Sequence, residues 1–329
     1  MTRMTYGAAM GAALRQEMER DERIFLMGED IELSITGWAR GLFEIYGPKR
    51  VRNTPISEST MVGTALGAAA TGMHPVVDLM LCNFTYVAMD QLLNQAAKLR
   101  YMMGGSASFP MTVVAGTGAA SGNAAQHSDN GYPMFMNAGG LKVVVPSTPE
   151  DAKGLFTSAL RDSNPVLFFW PGQVAGSRSD VPDGEYVVPL GVSRILREGS
   201  DLTIVGIGAM AKKAMDAAEE LNKQGVSAEV IDPRTLHPLD HKTIVESVGR
   251  TGRLLVVDEA RATCSAGSEV IARVSRFAFS SLRAAPRLIA VADVPIPFNP
   301  LLEKQVLPSV PQIVQHAREL VDTKVTAGA

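Results

Sequence analysis

Glu58 closes the segment Thr54-Pro55-Ile56-Ser57-Glu58 and stands at the head of a helical pattern, and no second charged residue follows from Ser59 to Met73. Such a helix is expected to be buried on nearly all sides. An isolated carboxylate there costs roughly several kcal/mol unless a hydrogen bond or a proton compensates it. The free N–H groups and dipole of the first turn supply part of that compensation, which is also all that a plain helix-start acid needs. A second candidate is His127, which ends a run of small residues from Ala115 to Gln126. Backbone so lightly covered can approach a ligand closely, and an imidazole at its end can exchange protons near neutral pH. The alternative is a flexible polar loop with a solvent-facing histidine. Gly206-Ile207-Gly208-Ala209-Met210-Ala211, with Asp232 ending the next strand, has the form of a dinucleotide fingerprint. A glycine turn between strand and helix gives the same pattern. His237 and His241 are four apart, but Pro238 between them and the lack of neighbouring ligands favour hydrogen bonding at a turn over a metal pair. Met80-Leu81-Cys82-Asn83-Phe84-Thr85-Tyr86 could stack on a ring or serve as core. No phosphate-binding Gly-x-x-x-x-Gly-Lys loop and no Gly-x-Ser-x-Gly elbow occurs.

The elements that must hold these residues alternate between short β-branched runs and helical patterns. Strands are expected at 24–27, 74–80, 111–115, 141–145 and 166–170, with helices at 6–20, 57–71, 85–99 and 149–161. Strands apolar almost throughout fit parallel sheets covered on both faces. The stretch 172–190, rich in Gly, Ser, Asp and Pro, reads as the domain linker. A second unit then repeats the alternation, with strands at 202–206, 228–231, 254–257 and 288–291 and helices at 211–223, 242–249, 268–281 and 310–321. The expected class is therefore α/β, with two α/β domains and mainly parallel sheets: a first domain at 1–175, a linker at 176–190 and a second domain at 191–329.

With 329 residues and 46% hydrophobic content the chain can build two ordinary cores. Its charges nearly cancel, 31 basic against 34 acidic, and no long basic run occurs, which argues against nucleic acid as a partner. The apolar stretch 59–73 is broken by glycines and too short to span a bilayer, so no membrane association is expected. The first residues lack the pattern of a signal peptide. Cys82 and Cys264 form no Cys-x-x-Cys pair and read as reduced core thiols of a cytoplasmic protein.

Taken together, several segments resemble the beta subunits of thiamine-diphosphate-dependent 2-oxo acid dehydrogenases of the pyruvate and acetoin type. They are Met27-Gly28-Glu29-Asp30, the segment ending at Glu58, Asn83-Phe84 with Asp90-Gln91, Gln126-His127-Ser128, Gly140-Leu141-Lys142-Val143, Asp151-Ala152-Lys153-Gly154-Leu155, Ile231-Asp232-Pro233-Arg234 and Asp293-Val294-Pro295. The resemblance runs in order over nearly the whole chain. It implies a thiamine diphosphate pyrimidine-binding domain followed by a transketolase C-terminal-like domain. In that family the glutamate at Glu58 bonds the aminopyrimidine ring nitrogen, favouring the imino form whose nitrogen deprotonates the thiazolium carbon. The histidine at His127 acts in proton transfer around the reacting intermediate, and the walls near the pyrimidine fall on Phe84 and Met80. A potassium site built mainly from backbone carbonyls falls on Met111, Ala159, Leu160, Asp162 and Asn164. The family's C-terminal domain has a similar glycine turn that binds no dinucleotide.

Gly-Asp-Gly, through which such enzymes hold Mg²⁺ and the diphosphate, does not occur in this chain. The resemblance therefore implies a separate alpha subunit that supplies Mg²⁺ and the other half of the site, in a heterotetramer of two alpha and two beta chains. A lipoyl acyltransferase core would receive the acyl group formed from a small 2-oxo acid, such as pyruvate, or from acetoin. Departures from the family pattern occur at Trp38, where a glycine-rich segment is usual, at Asp129, where Gln is common, and at Asp258, where His is common. They leave open a split transketolase-like enzyme or a non-catalytic partner of an alpha chain.

Overall fold

The computed structural model describes residues 1–119 and 122–323. Two compact units form, one from Met1–Ala120 and Gln126–Leu190, the other from Ser121–Ala125 and Gly191–Ala329.

In the first unit β1 (Thr2–Thr5) leads into α1 (Tyr6–Arg20), whose first turn is capped by the Thr5 hydroxyl accepting from the Ala8 N–H. There follow β2 (Ile24–Gly28), α2 (Leu42–Arg50), β3 (Val51–Asn53), α3 (Glu58–Ala70) and β4 (His74–Leu81). A 3₁₀ segment, Cys82–Ala88, and a π-helical segment, Asp90–Ala96, then precede α4 (Leu99–Met102). The stretch 85–99 was expected as one regular helix; Asn83 and Phe84 are carried by the narrower turns of the 3₁₀ segment that precedes the π-helical one. β5 (Thr112–Thr117), α5 (Tyr132–Met136), β6 (Lys142–Val144), α6 (Pro149–Leu160), β7 (Val166–Pro171) and β8 (Arg178–Val181) complete the unit. Its main sheet runs in the order β6-β7-β5-β4-β2-β3 with all neighbours parallel. β1 and β8 form a separate antiparallel pair.

The segment 178–190, expected to lie in a linker, is packed on α6. Buried Lys153 donates to the carbonyls of Pro182 and Gly184, Tyr186 donates to the Glu150 carbonyl, and Val188 N–H bonds the Gly154 carbonyl. A Lys buried to 1% exposure must find such acceptors. Polar composition concealed them.

The second unit contains β9 (Arg194–Arg197), β10 (Leu202–Gly206), α7 (Met210–Lys223), β11 (Ala228–Asp232) and β12 (Thr235–His237). Then come α8 (His241–Thr251), β13 (Leu254–Arg261), α9 (Ala266–Phe277), β14 (Arg287–Val291), α10 (Pro300–Val306) and α11 (Val310–Asp322). Its sheet order is β14-β13-β10-β11-β9, parallel except for the β9–β11 edge. Asp240, Ser265, Asn299 and Ser309 cap the starts of α8, α9, α10 and α11, the last through a reciprocal Ser309–Gln312 box. Among the described residues no helix is long and apolar enough to cross a membrane.

Candidate active site

The sheet of the first unit delivers its chemistry at the carboxyl ends of its strands, where open parallel sheets bind ligands. β2 ends at Gly28, and Glu29 follows; β4 carries Asp78 and Met80; β3 leads through Pro55 to Glu58 on the first turn of α3. Glu29, Ile56, Glu58, Met61, Asp78, Leu79, Met80 and Phe84 line one shallow depression of about 10 Å³. The sequence-derived residues Glu58, Met80 and Phe84 are thus brought together. A drug-sized ligand usually needs ~300–1,000 Å³, so this surface is part of a site.

The register of β4 against β5 shifts between Asp78 and Leu81, and Met80 there has φ 57°, in the left-handed region. The Asp78 carboxylate holds this turn by accepting the Met80 N–H at 2.8 Å. Its other oxygen accepts the Trp38 indole N–H at 2.9 Å and the Thr36 hydroxyl at 3.4 Å. Burial pushes the Asp78 carboxyl up to about 6, against the pull of those bonds from Met80, Trp38 and Thr36. Sequence reasoning missed Asp78. The signal was the one that marked Glu58, a single acid within an otherwise apolar element. Trp38 is anchored behind it, edge-on to Phe156 at 5.7 Å.

Two expectations about α3 need correction. Thr60, Thr64, Gly67 and Ala70 are exposed in the chain, so an uncharged face of small residues lies open rather than buried. Glu58 is half-buried, at the rim of the depression. Lack of charge marked a helix without a solvated polar face, which is not the same as a helix covered within its own chain.

His127 is placed beside the same depression: its ring meets Phe84 edge-on, with centroids 5.7 Å apart. The residues expected around a potassium ion lie just before β5 (Met111), at the end of α6 (Ala159 and Leu160) and in the loop before β7 (Asp162 and Asn164). Met111 O accepts from Val166 N–H, Thr112 donates to Ala159 O, and Asn164 N–H bonds Asp162. Asp162 is in addition ion-paired with Lys142, so its carboxylate already has a cation. Any metal there would rest on backbone carbonyls.

Elsewhere the motifs have structural work. A Cβ on Gly206 would lie 2.6 Å from Ala211 Cα, and Gly208 has φ 56°, so both glycines serve the tight β10–α7 turn. Asp232 is wholly buried and accepts the Arg234 N–H, away from any ribose. Asp258, one of the departures from the family pattern, is buried in the second unit, where it accepts the N–H groups of Ala260 and Gly267. His241 stacks on Phe277 at 5.3 Å, and among the described residues no cluster of His, Cys, Asp and Glu suits a metal ion. Cys82 is buried as expected, but Cys264 is exposed rather than a core thiol.

Residues 2–176 match the transketolase pyrimidine-binding domain and residues 191–313 the transketolase C-terminal domain. The chain is 43% identical to the beta subunit of the acetoin:2,6-dichlorophenolindophenol oxidoreductase of Cupriavidus necator, over 94% of this chain and 95% of that protein. It is 41% identical to the pyruvate dehydrogenase E1 component subunit beta of Rickettsia felis, over 96% and 98% respectively. Among solved structures, an inactive β4 tetramer of a split-gene transketolase shares the fold with a TM-score of 0.78 at 22% identity, covering 98% of this chain and 99% of that one. The chain belongs to the transketolase-like family, in the group that contains the beta subunits of acetoin- and pyruvate-oxidising enzymes.

Proposed function

We propose that this chain is the beta subunit of a thiamine-diphosphate-dependent dehydrogenase acting on acetoin or a small 2-oxo acid such as pyruvate. The observation that carries the reading is the convergence of Glu58, Met80 and Phe84 on one depression with His127 against Phe84. That donor set fits the pyrimidine half of thiamine diphosphate: a carboxylate for a ring nitrogen beside thioether and aromatic walls for a flat heterocycle. Its lining includes no Lys or Arg among the described residues, so it does not fit the diphosphate half. An alpha subunit supplies that half together with Mg²⁺, in a two-alpha, two-beta heterotetramer.

When bound, thiamine diphosphate supplies a carbon nucleophile and an electron sink. Glu58 holds a proton at the pyrimidine nitrogen and fixes the ring's orientation. Met80 and Phe84 exclude water from its faces. His127 gives and takes the proton on the substrate side. The acyl group passes to a lipoyl acyltransferase core. The carbonyls of Met111, Ala159 and Leu160, with those of Asp162 and Asn164, would hold a potassium ion and supply it with hard oxygen donors. The free cysteines suit the reducing cytoplasm.

Tagged chain recovered from its native extract tests the reading, assayed with thiamine diphosphate, Mg²⁺ and a panel of acetoin, pyruvate, branched 2-oxo acids and sugar phosphates. An alpha-type chain should co-purify, with turnover of acetoin or a 2-oxo acid. Turnover confined to sugar phosphates, or a complex that turns over nothing, would overturn it.

A further inference from the structure

We propose that Asp129 is a positioning residue which, through a reciprocal pair with Asn83, fixes His127 against Phe84. The inference rests on the role given above to His127 and names what sets its place.

The Asn83 amide N–H donates to the Asp129 carboxylate at 2.9 Å, and the Asp129 backbone N–H donates back to the Asn83 amide oxygen at 3.3 Å. Such a two-point contact resists rotation where a single bond would not, and the ionised acceptor strengthens it. The Asp129 carbonyl is anchored as well, accepting the Gly118 N–H at 2.9 Å, the Thr117 hydroxyl at 3.2 Å and the Cys82 thiol at 2.7 Å. Residue 129 is therefore tied both to the end of β5 and to the segment after β4. Only Ser128, 1% exposed, separates it from His127. On the other side, Phe84 directly follows Asn83. The pair thus ties the two chain segments immediately beside the two rings that meet at 5.7 Å. Asparagine presents both a donor and an acceptor at one edge. Facing it, Asp129 offers the complementary carboxylate and backbone N–H.

Exchange of the two side chains tests this. Asn83→Asp sets two carboxylates face to face, whereas Asn83→Asp with Asp129→Asn restores a donor opposite an acceptor at both points. The chain has five histidines, and in ¹³C-histidine-labelled protein the His127 resonance is the one lost in His127→Gln. In the unsubstituted chain it carries the ring shift of Phe84, which Phe84→Leu removes. Asn83→Asp should move it to the Phe84→Leu position and lower kcat of the complex with its partner about tenfold or more, as a misplaced group does. The double exchange should return both toward the starting values. A His127 resonance unmoved by Asn83→Asp, or one left displaced in the double exchange, would overturn the proposal. Where Asn83→Asp fails to fold, the double exchange decides by its resonance alone. Full turnover in His127→Gln would instead refute the role of His127 while the resonance still reads the pairing.

Discussion

Of the three carboxylates that line the depression, Glu58 and Asp78 have opposite surroundings. Glu58 is half-buried at a helix start, whereas Asp78 is 3% exposed behind the Met80 turn. The Asp78 carboxyl rises from 3.8 to about 6 because burial disfavours its charge. Below pH 3.8 both folded and unfolded chains hold the proton, so Asp78 imposes no charge penalty on folding. As pH rises from 3.8 to about 6 the unfolded chain ionises first and stability is lost, and above that window the loss is complete. Asp78→Asn cannot ionise. Its melting temperature relative to the unsubstituted protein should therefore climb through this window and level off above it. Thermal melts across the pH series check this, and a flat difference would contradict it.

At the scale of elements, helix starts are where local chemistry decided the outcome. α1, α6, α9 and α11 begin where Thr5, Thr148, Ser265 and Ser309 can accept an N–H one turn on; α1, α6 and α11 were legible almost to the residue, whereas α9, expected at 268–281, spans Ala266–Phe277. Asp258 does similar work from a neighbouring strand by holding the Gly267 N–H at the first turn of α9. Asp258→Ala would leave two buried donors without an acceptor. A loss of about 2–4 kcal/mol in urea unfolding is expected, since each such group costs ~1–3 kcal/mol. What the sequence concealed follows from the same physics. The 3₁₀ and π turns between Cys82 and Ala96 share the composition of a regular helix, and no local signal separates them. The open face of α3 was misread because small uncharged residues suit both a buried helix and an unpartnered one. Of the site, Glu58 and His127 were legible by their isolation. Asp78 and the Asn83–Asp129 pair needed the sheet and its bulge to bring distant segments together.

Over the whole molecule, two parallel-sheet units were legible from alternation of strands and helices, but the segment after β7 was not. It is a strap on the first unit. A methyl on Gly154 would lie 2.5 Å from a Val188 methyl and 2.7 Å from the Tyr186 ring. Gly154→Ala should cost about 1–3 kcal/mol by overpacking and should make the strap 182–190 more open to limited proteolysis than it is in the unsubstituted chain. Unchanged stability and unchanged digestion would return that segment to the linker first expected. At this scale also lies the claim that the chain holds only the pyrimidine half of its cofactor site. By itself it should therefore turn over neither acetoin nor pyruvate.

Turnover of Glu58→Gln against the unsubstituted chain, each reconstituted with the co-purifying alpha-type partner, thiamine diphosphate and Mg²⁺, is the most direct test of the whole account. Glutamine keeps the size of the side chain and removes its ability to hold a charge and exchange a proton. The account predicts a fall in kcat of about 10²-fold or more, with assembly and melting temperature unchanged. Glu58→Gln turning over acetoin or a 2-oxo acid at the full rate would contradict it.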